Sequence, residues 1–522
     1  MPSRILPAQR LARSLAHLHA LQTGGRRVFE SRELGRIDRE RLLRAGFLRP
    51  ALKGWLLSSS PDTQDGDSTP WHASLWEFCA RYCEKRFKNR WHLSPEQSLQ
   101  HFGENTVTPS QVVVYSPRGT NNTVDLPFGS SIYDLRVQEM PPAAELIVRD
   151  GLRMFAPGAA LARVSEAFFV RNPIEAEVAL KSIRDASEIL HPLLSAGRAQ
   201  AAGRLAGAFR RLEKPRLADE ILVAMKAAGS DVRETDPFDE KQAMELGRAA
   251  VPPIVTRLRA MWRALRGEAL AVFPRAPGLP RDSAAWLKQA DHSYKSDSYN
   301  SLSIDGYRVT PELIERVASG NWDAQRNEAD RKSRDALAAR GYWQTFQLVK
   351  KSTSQILEGK NPGAVVRSSH SGWYRELFEP CIVAGLLPAE ALAGYRNDAV
   401  YLRTSRYVPP RWEAVRDAMP ALFDLLEDEP EPSVRAVLGH WLFGYIHPYP
   451  DGNGRVARFL MNAMLASGGY SWTVIRVGDR EKYLHALDAA SIEQKIEPFA
   501  RFIAECVKRS GSSAPGRRQK NS

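Results

Sequence analysis

Twelve residues near the end of the chain, His447-Pro448-Tyr449-Pro450-Asp451-Gly452-Asn453-Gly454-Arg455-Val456-Ala457-Arg458, bring together an imidazole, a carboxylate, two glycines and two guanidiniums. The apolar spacing before them (Val434, Val437, Leu438, Trp441, Leu442, Tyr445) predicts a helix that the two prolines stop, and a second helix is predicted over 455–467, closed by Gly468-Gly469. A helix start leaves N–H groups without intrahelical partners. Glycines on both sides of Asn453 let the backbone approach a ligand and curl its amides into an anion-binding nest, so phosphate is the natural occupant. Arg455 and Arg458 share a face of the first turn, where the helix dipole disfavours cations unless an anion compensates. Asp451 would repel phosphate alone, and makes sense as a ligand of Mg²⁺ that bridges carboxylate and phosphate oxygens. His447 is then a candidate base beside a metal-bound phosphoester. A calcium loop starting at Asp451 is improbable, because its sixth and twelfth positions are Val456 and Asn462 rather than Gly and Glu.

The full string resembles the Fic-domain signature HPFx(D/E)GNGRxxR at every position but Tyr449, where Phe is usual. The flanking stretches "GWYRELFEP", "AGYRNDAVYLRTSRYVPP" and "YLHALDAASIEQKIEPFARFI" are similar to the corresponding parts of Fic proteins, in order, so the resemblance covers about residues 284–507. It implies a helical bundle with a β-hairpin flap over the site, here the segment Asp398 to Pro410 with Thr404, Ser405, Arg406 and Tyr407. It also implies protein adenylylation, the transfer of AMP from ATP to a Ser, Thr or Tyr hydroxyl. On that resemblance His447 takes the hydroxyl proton and Asp451 holds Mg²⁺ on the α- and β-phosphates. Asn453 and the amides around Gly452 and Gly454 cradle the α-phosphate, and Arg455 neutralises the departing pyrophosphate, with Arg458 in the same phosphate-binding group. Gly454 discriminates, since the Doc-like kinase branch carries Lys there. The ring of Tyr449 is expected to do the packing of the usual Phe, its hydroxyl needing a partner or a path to solvent. Tyr483 is the candidate wall of a base pocket.

Many Fic proteins carry an inhibitory helix of pattern (S/T)xxxE(G/N), whose Glu pairs with the second motif Arg and keeps the ATP γ-phosphate out of its productive position. The stretch Tyr299-Asn300-Ser301-Leu302-Ser303-Ile304-Asp305-Gly306 resembles it, with Ser301 first, Asp305 in place of Glu, and Gly306 after it. The helix is placed at about 295–306. Asp is one methylene shorter, so the expected bridge to Arg458 is long or water-mediated and the inhibition leaky.

The rest of the chain must position these groups. Its 522 residues, 43% hydrophobic and 25% charged, suit a folded protein of about three domains. The fold class expected is mainly α: a C-terminal Fic bundle (284–507) preceded by a basic winged helix-turn-helix (1–58) and an α+β middle domain (70–272), with a disordered tail over 508–522. Three short helices, followed by two extended pieces hinged near Gly54, give the first of these, and "GFLRPALKGWLL" resembles the end of the N-terminal winged helix of AbiEi-type antitoxins. "LSPEQSLQHFG" and "ARVSEAFF" look like the body of the same family. β-rich runs at 111–115 and 131–135 and long helices over 158–211 are expected in the middle domain.

The net charge of +13, with an excess of eight basic residues in 1–57, favours anionic partners, and DNA is the expected partner of 1–58. Four scattered cysteines give neither a disulfide framework nor a zinc cluster, and no apolar stretch approaches the length of a membrane span. A cytoplasmic protein without secretory leader is expected, acting on an unidentified target protein, itself included, with no membrane partner and its oligomeric state open. The alternative is a DNA-binding regulator or toxin–antitoxin-like protein whose Fic core senses nucleotide or transfers another nucleotide-derived group.

Overall fold

The structure, a computed structural model, describes residues 7–64, 66–238, 251–321 and 333–512. They fall into two compact units, one running to Pro253 and including Tyr401–Val408, the other formed by Ile254–Val400 and the chain from Pro409 onward.

In the first unit, helix Pro7–Leu21 is followed by strand β1 (Val28–Glu30), helix Arg36–Arg44 and strands β2 (Leu48–Leu52) and β3 (Trp55–Ser58), which pair antiparallel in the order β1-β3-β2. The leucine spacing of the first helix is explained by a small core of Leu18, Phe29, Leu34, Leu42, Leu48 and Leu56. One of the three short helices expected here is only a 3₁₀ turn, Ser31–Glu33, closed by Glu33 accepting the Glu30 N–H at 2.6 Å. Residues 7–58 are not closed on that small core alone. Val28, Trp55 and Leu57, on the other face of the sheet, pack with Trp71, Leu75 and Phe78 of the following domain expected over 70–272.

That second core carries a sheet of order β4-β5-β7-β6 (β4 His92–Leu93, β5 Gln111–Ser116, β6 Asn122–Asp125, β7 Ser131–Arg136), in which the two β-rich runs, β5 and β7, lie parallel. A hairpin of β8 (Leu146–Arg149) and β9 (Leu152–Phe155) follows. The long helices expected over 158–211 are five shorter ones, among them Glu166–Arg171 and Pro173–Ser182, because Pro173 cannot continue the preceding helix and starts a new one.

Tyr401–Val408 joins this unit by hydrogen bonds to it. The Thr108 N–H donates to the Arg406 carbonyl (2.9 Å), Arg406 Nε and Nη2 donate back to the Thr108 carbonyl (3.1 and 2.7 Å), and the Thr404 N–H donates to Thr69 Oγ1 (3.0 Å). The hairpin expected over Asp398 to Pro410 is absent, as no strand is formed there. Pro409 and Pro410 lack N–H groups, Thr404 has φ of 59°, and the polar groups that would pair across a hairpin are taken by Thr69 and Thr108.

The second unit is a bundle of helices. Its first, Pro253–Ala271, was expected to close the middle domain, but Arg257 Nε donates to Tyr445 Oη (3.0 Å) and Arg266 donates twice to Glu429 (both 2.8 Å), so the boundary lies at 253 rather than 272. Ser283–Ile304, Arg334–Leu357 and Pro362–Val383 surround the central pair Pro432–Ile446 and Asn453–Ala466. These two are buried nearly all round, as their dense apolar sequences require. The last helix, Glu497–Ser512, absorbs residues 508–512 of the expected disordered tail, and 513–522 lie outside the described residues. No helix among the described residues is long and apolar enough to cross a membrane.

Candidate functional site

Helix Pro432–Ile446 ends where His447 turns into the left-handed region (φ 51°, ψ 59°) ahead of Pro448. The imidazole is held by Nδ1, 3.2 Å from the Gly444 carbonyl. With Nδ1 donating to that carbonyl, Nε2 keeps the lone pair. Burial pushes His447 down to about 4, against the Gly444 carbonyl and with the Arg396 charge adding to the fall, so the ring is a neutral proton acceptor at physiological pH.

Arg396 escapes a reading of the motif. Its buried guanidinium donates from Nε to the His447 carbonyl (2.8 Å), from Nη1 to the Asp398 carbonyl (2.9 Å) and from Nη2 to the Pro410 carbonyl, while its N–H reaches the Pro448 carbonyl at 2.9 Å. It satisfies carbonyls of the loop that follows the helix, with Nη2 also 3.4 Å from the Ile446 carbonyl at the helix end, and thereby fixes the backbone of His447.

The loop after His447 is closed by Asn453. Its Oδ1 accepts the Tyr449 N–H (2.9 Å) and its Nδ2 donates to the Tyr449 carbonyl (2.7 Å). The expectation that this side chain cradles phosphate is therefore corrected, since the carboxamide is spent on shaping the loop. The backbone N–H groups of the first turn of Asn453–Ala466 are instead the ones that a helix start leaves without intrahelical partners. Gly452 sits at φ 76°, and a Cβ there would lie 2.8 Å from the Phe378 ring. At Gly454 a Cβ would come within 3.1 Å of Arg458 and 3.2 Å of Asp305.

Asp451 presents a carboxylate that is 61% exposed, one oxygen accepting the Gly452 N–H at 2.6 Å and the other 3.8 Å from Arg455. No cluster of three acidic, His or Cys side chains able to hold a metal occurs among the described residues. A single exposed carboxylate fits Mg²⁺, which is commonly held by one or two carboxylates together with substrate phosphates.

The predicted inhibitory stretch meets this site. Helix Ser283–Ile304 ends with Asp305 as its cap, and Asp297, Ser301 and Asp305 recur every four residues along one face. Asp297 anchors the helix by accepting from Tyr342 Oη (2.8 Å) and Trp472 Nε1 (3.0 Å). Arg458 donates from Nε to Ser301 Oγ (2.7 Å) and from Nη2 to Asp305 Oδ1 (2.8 Å), and Arg455 donates from Nε to Asp305 Oδ2 (3.1 Å). The expected long or water-mediated bridge is thus corrected to a direct one. The shorter side chain also takes both arginines, one on each oxygen, because the helix cap brings it onto the first turn of Asn453–Ala466 beside Gly454.

Of the other predicted residues, Tyr483 lies in the interior, its hydroxyl 2.8 Å from His440 Nε2 and its ring against Phe499 and Phe502, so it walls no opening. Thr404, Ser405, Arg406 and Tyr407 belong to the first unit, as described above.

Tyr449 packs as expected, its ring stacked on Tyr374 at 3.9 Å, but its buried hydroxyl has neither partner nor path to solvent. An unpaired buried hydroxyl costs about 1–3 kcal/mol. Tyr449→Phe is expected to raise the thermal unfolding midpoint by about 2–4 °C per kcal/mol recovered. An unchanged or lower midpoint in calorimetry would show that the hydroxyl is satisfied.

Residues 370–465 match the Fic/DOC family. "Protein adenylyltransferase Fic" of Nematostella vectensis is 43% identical over 126 residues, 23% of this chain and 29% of that protein. The protein of the same name from Drosophila willistoni is 38% identical over 119 residues, 22% of this chain and 23% of that one. The chain therefore spans less than a third of the length of these curated relatives. Among solved structures, Fic-1 (aa134–508) from C. elegans aligns at 17% identity and a TM-score of 0.36, over 65% of this chain and 96% of that one. A Fic-domain-containing signaling protein from Bacteroides thetaiotaomicron aligns at 19% identity and a TM-score of 0.34, over 50% and 94%.

Proposed function

We propose, from the premise that residues 370–465 form a Fic domain, that this chain is a protein adenylyltransferase held in check by Asp305. The observation that carries the reading is an anion site at the first turn of Asn453–Ala466, where Arg455 and Arg458 converge and a carboxylate of the chain itself already sits between them. A triphosphate would take its place, with the first-turn amides and Arg455 facing its phosphates.

A hydroxyl of the target protein, placed at His447 Nε2, would lose its proton to that nitrogen as its oxygen attacks the α-phosphorus. The new bond joins that oxygen to phosphorus, and the bond to the bridging oxygen breaks, releasing pyrophosphate. Mg²⁺ bound at Asp451 would supply charge neutralisation to the phosphates. No covalent enzyme intermediate is needed, since positioning and electrostatics carry phosphoryl-type transfers. Gly454, where the kinase-like branch of the family has Lys, supports transfer of AMP rather than of the γ-phosphate.

The two outcomes differ in which phosphate reaches the protein. With Mg²⁺ present, α-labelled ATP is expected to label protein and γ-labelled ATP is not. Label from the γ position alone would make the chain a kinase and overturn the reading.

A further inference from the structure

The first motif arginine has two aromatic neighbours besides its carboxylate partner. Arg455 is 1% exposed, and its guanidinium carbon lies 5.1 Å from the centre of the Tyr307 ring and 5.2 Å from that of Phe378. Its Nη2 also lies 3.4 Å from Tyr307 Oη. A guanidinium over an aromatic ring is attracted by the ring quadrupole, more strongly when water is excluded.

Tyr307 reaches this position through the way the inhibitory helix ends. Asp305 is the cap, Gly306 turns the chain back at φ 90°, the Tyr307 N–H donates to the Leu302 carbonyl (3.0 Å), and the Gly306 N–H donates to the Ser303 carbonyl (3.1 Å). This is the double bond pattern of a Schellman cap, and it delivers a carboxylate and an aromatic ring to the same guanidinium from adjacent turns. The ring is held from elsewhere too, since the Arg334 guanidinium carbon, at the start of helix Arg334–Leu357, lies 5.2 Å from its centre.

We infer that Tyr307 is a second contact of the brake, gripping Arg455 through its ring while Asp305 grips it by charge; the inference rests on the reading of Asp305 given above. Phe378 sits on helix Pro362–Val383, which carries no part of the brake, and stays beside Arg455 whatever the brake does. Tyr307 follows the brake helix directly and leaves with it. Arg455 therefore exchanges one ring and one carboxylate for nucleotide phosphate. Tyr307 is a positioning residue in this account and touches no reacting atom.

The test is the affinity of the full-length protein for Mg·ATP, by titration calorimetry, for wild type, Tyr307→Phe, Tyr307→Ala, Asp305→Ala and the double variant Asp305→Ala/Tyr307→Ala. Tyr307→Ala is expected to bind ATP about threefold to tenfold tighter than wild type, the scale of a buried cation–aromatic contact. Tyr307→Phe keeps the ring and is expected to stay within about twofold of wild type. Removing Tyr307 is expected to change affinity little once Asp305 is already Ala. If Asp305→Ala tightens binding while Tyr307→Ala matches wild type or binds more weakly, the inference about Tyr307 is overturned and the brake stands. If Asp305→Ala leaves affinity unchanged as well, the brake itself fails.

Discussion

Asp305→Ala is expected to raise AMP transfer from ATP by about 10- to 100-fold. The variant removes a carboxylate that accepts from two buried guanidiniums, Arg455 at 3.1 Å and Arg458 at 2.8 Å. Hydrogen bonds to charged groups contribute about 1.5–3 kcal/mol each, so the net loss of one of the two, with solvent replacing the other, already shifts the balance between braked and open forms by the tens of fold expected. Arg458 keeps Ser301 as a partner at 2.7 Å, which is why release is predicted to be incomplete rather than total. A double variant that also carries Ser301→Ala should go further. Equal rates for wild type and Asp305→Ala, with unaltered folding by circular dichroism, would mean that the carboxylate does not compete with nucleotide.

His447→Ala is expected to lower transfer by about 10²- to 10⁴-fold while leaving ATP affinity within a small factor, since general bases are worth that much in rate and the ring makes no bond in the phosphate-binding turn. The pH profile follows from its environment. Burial holds His447 down at about 4, so the proton-accepting form persists well below the ordinary histidine range, and the acid limb of kcat/KM should fall there rather than near 6.5. Activity is lost as pH drops through that value and the ring gains a proton. A limb at the ordinary histidine value would show that the imidazole is more solvated than its packing indicates, and an unaffected kcat in His447→Ala would remove it from the chemistry.

The loop over 447–454 was legible because its polar groups lie in consecutive side chains on one turn, whose types and spacing suit an anion and a metal. The stretch proposed as a brake was legible only through its resemblance to the Fic inhibitory pattern, since Ser301 and Asp305 one helical turn apart also suit a plain capped helix end. That one Asp serves two arginines was not, because it depends on where a helix cap falls against another helix. Arg396 was invisible since the partners described for it are the carbonyls of His447, Pro448, Asp398 and Pro410, and a backbone carbonyl leaves no trace in residue type. Asn453 misled in the opposite direction, its amide looking like a free donor until Tyr449 claims both ends of it. The flap carried β-branched and aromatic residues suited to a hairpin, but its hydrogen bonds go to Thr69 and Thr108, some 300 positions away. The helix Pro253–Ala271 was assigned to the wrong unit because the partners of its arginines, Tyr445 and Glu429, are distant in sequence.

The function proposed for this chain has three parts: transfer of AMP, His447 as the base and Asp305 as the restraint. The intact mass of three purified forms, wild type, Asp305→Ala and Asp305→Ala/His447→Ala, after incubation with ATP and Mg²⁺ alone, tests all three parts at once. The account predicts a mass increase of one AMP on Asp305→Ala, a much smaller fraction on wild type and none on the double variant. AMP on the double variant, or as much on wild type as on Asp305→Ala, would contradict it.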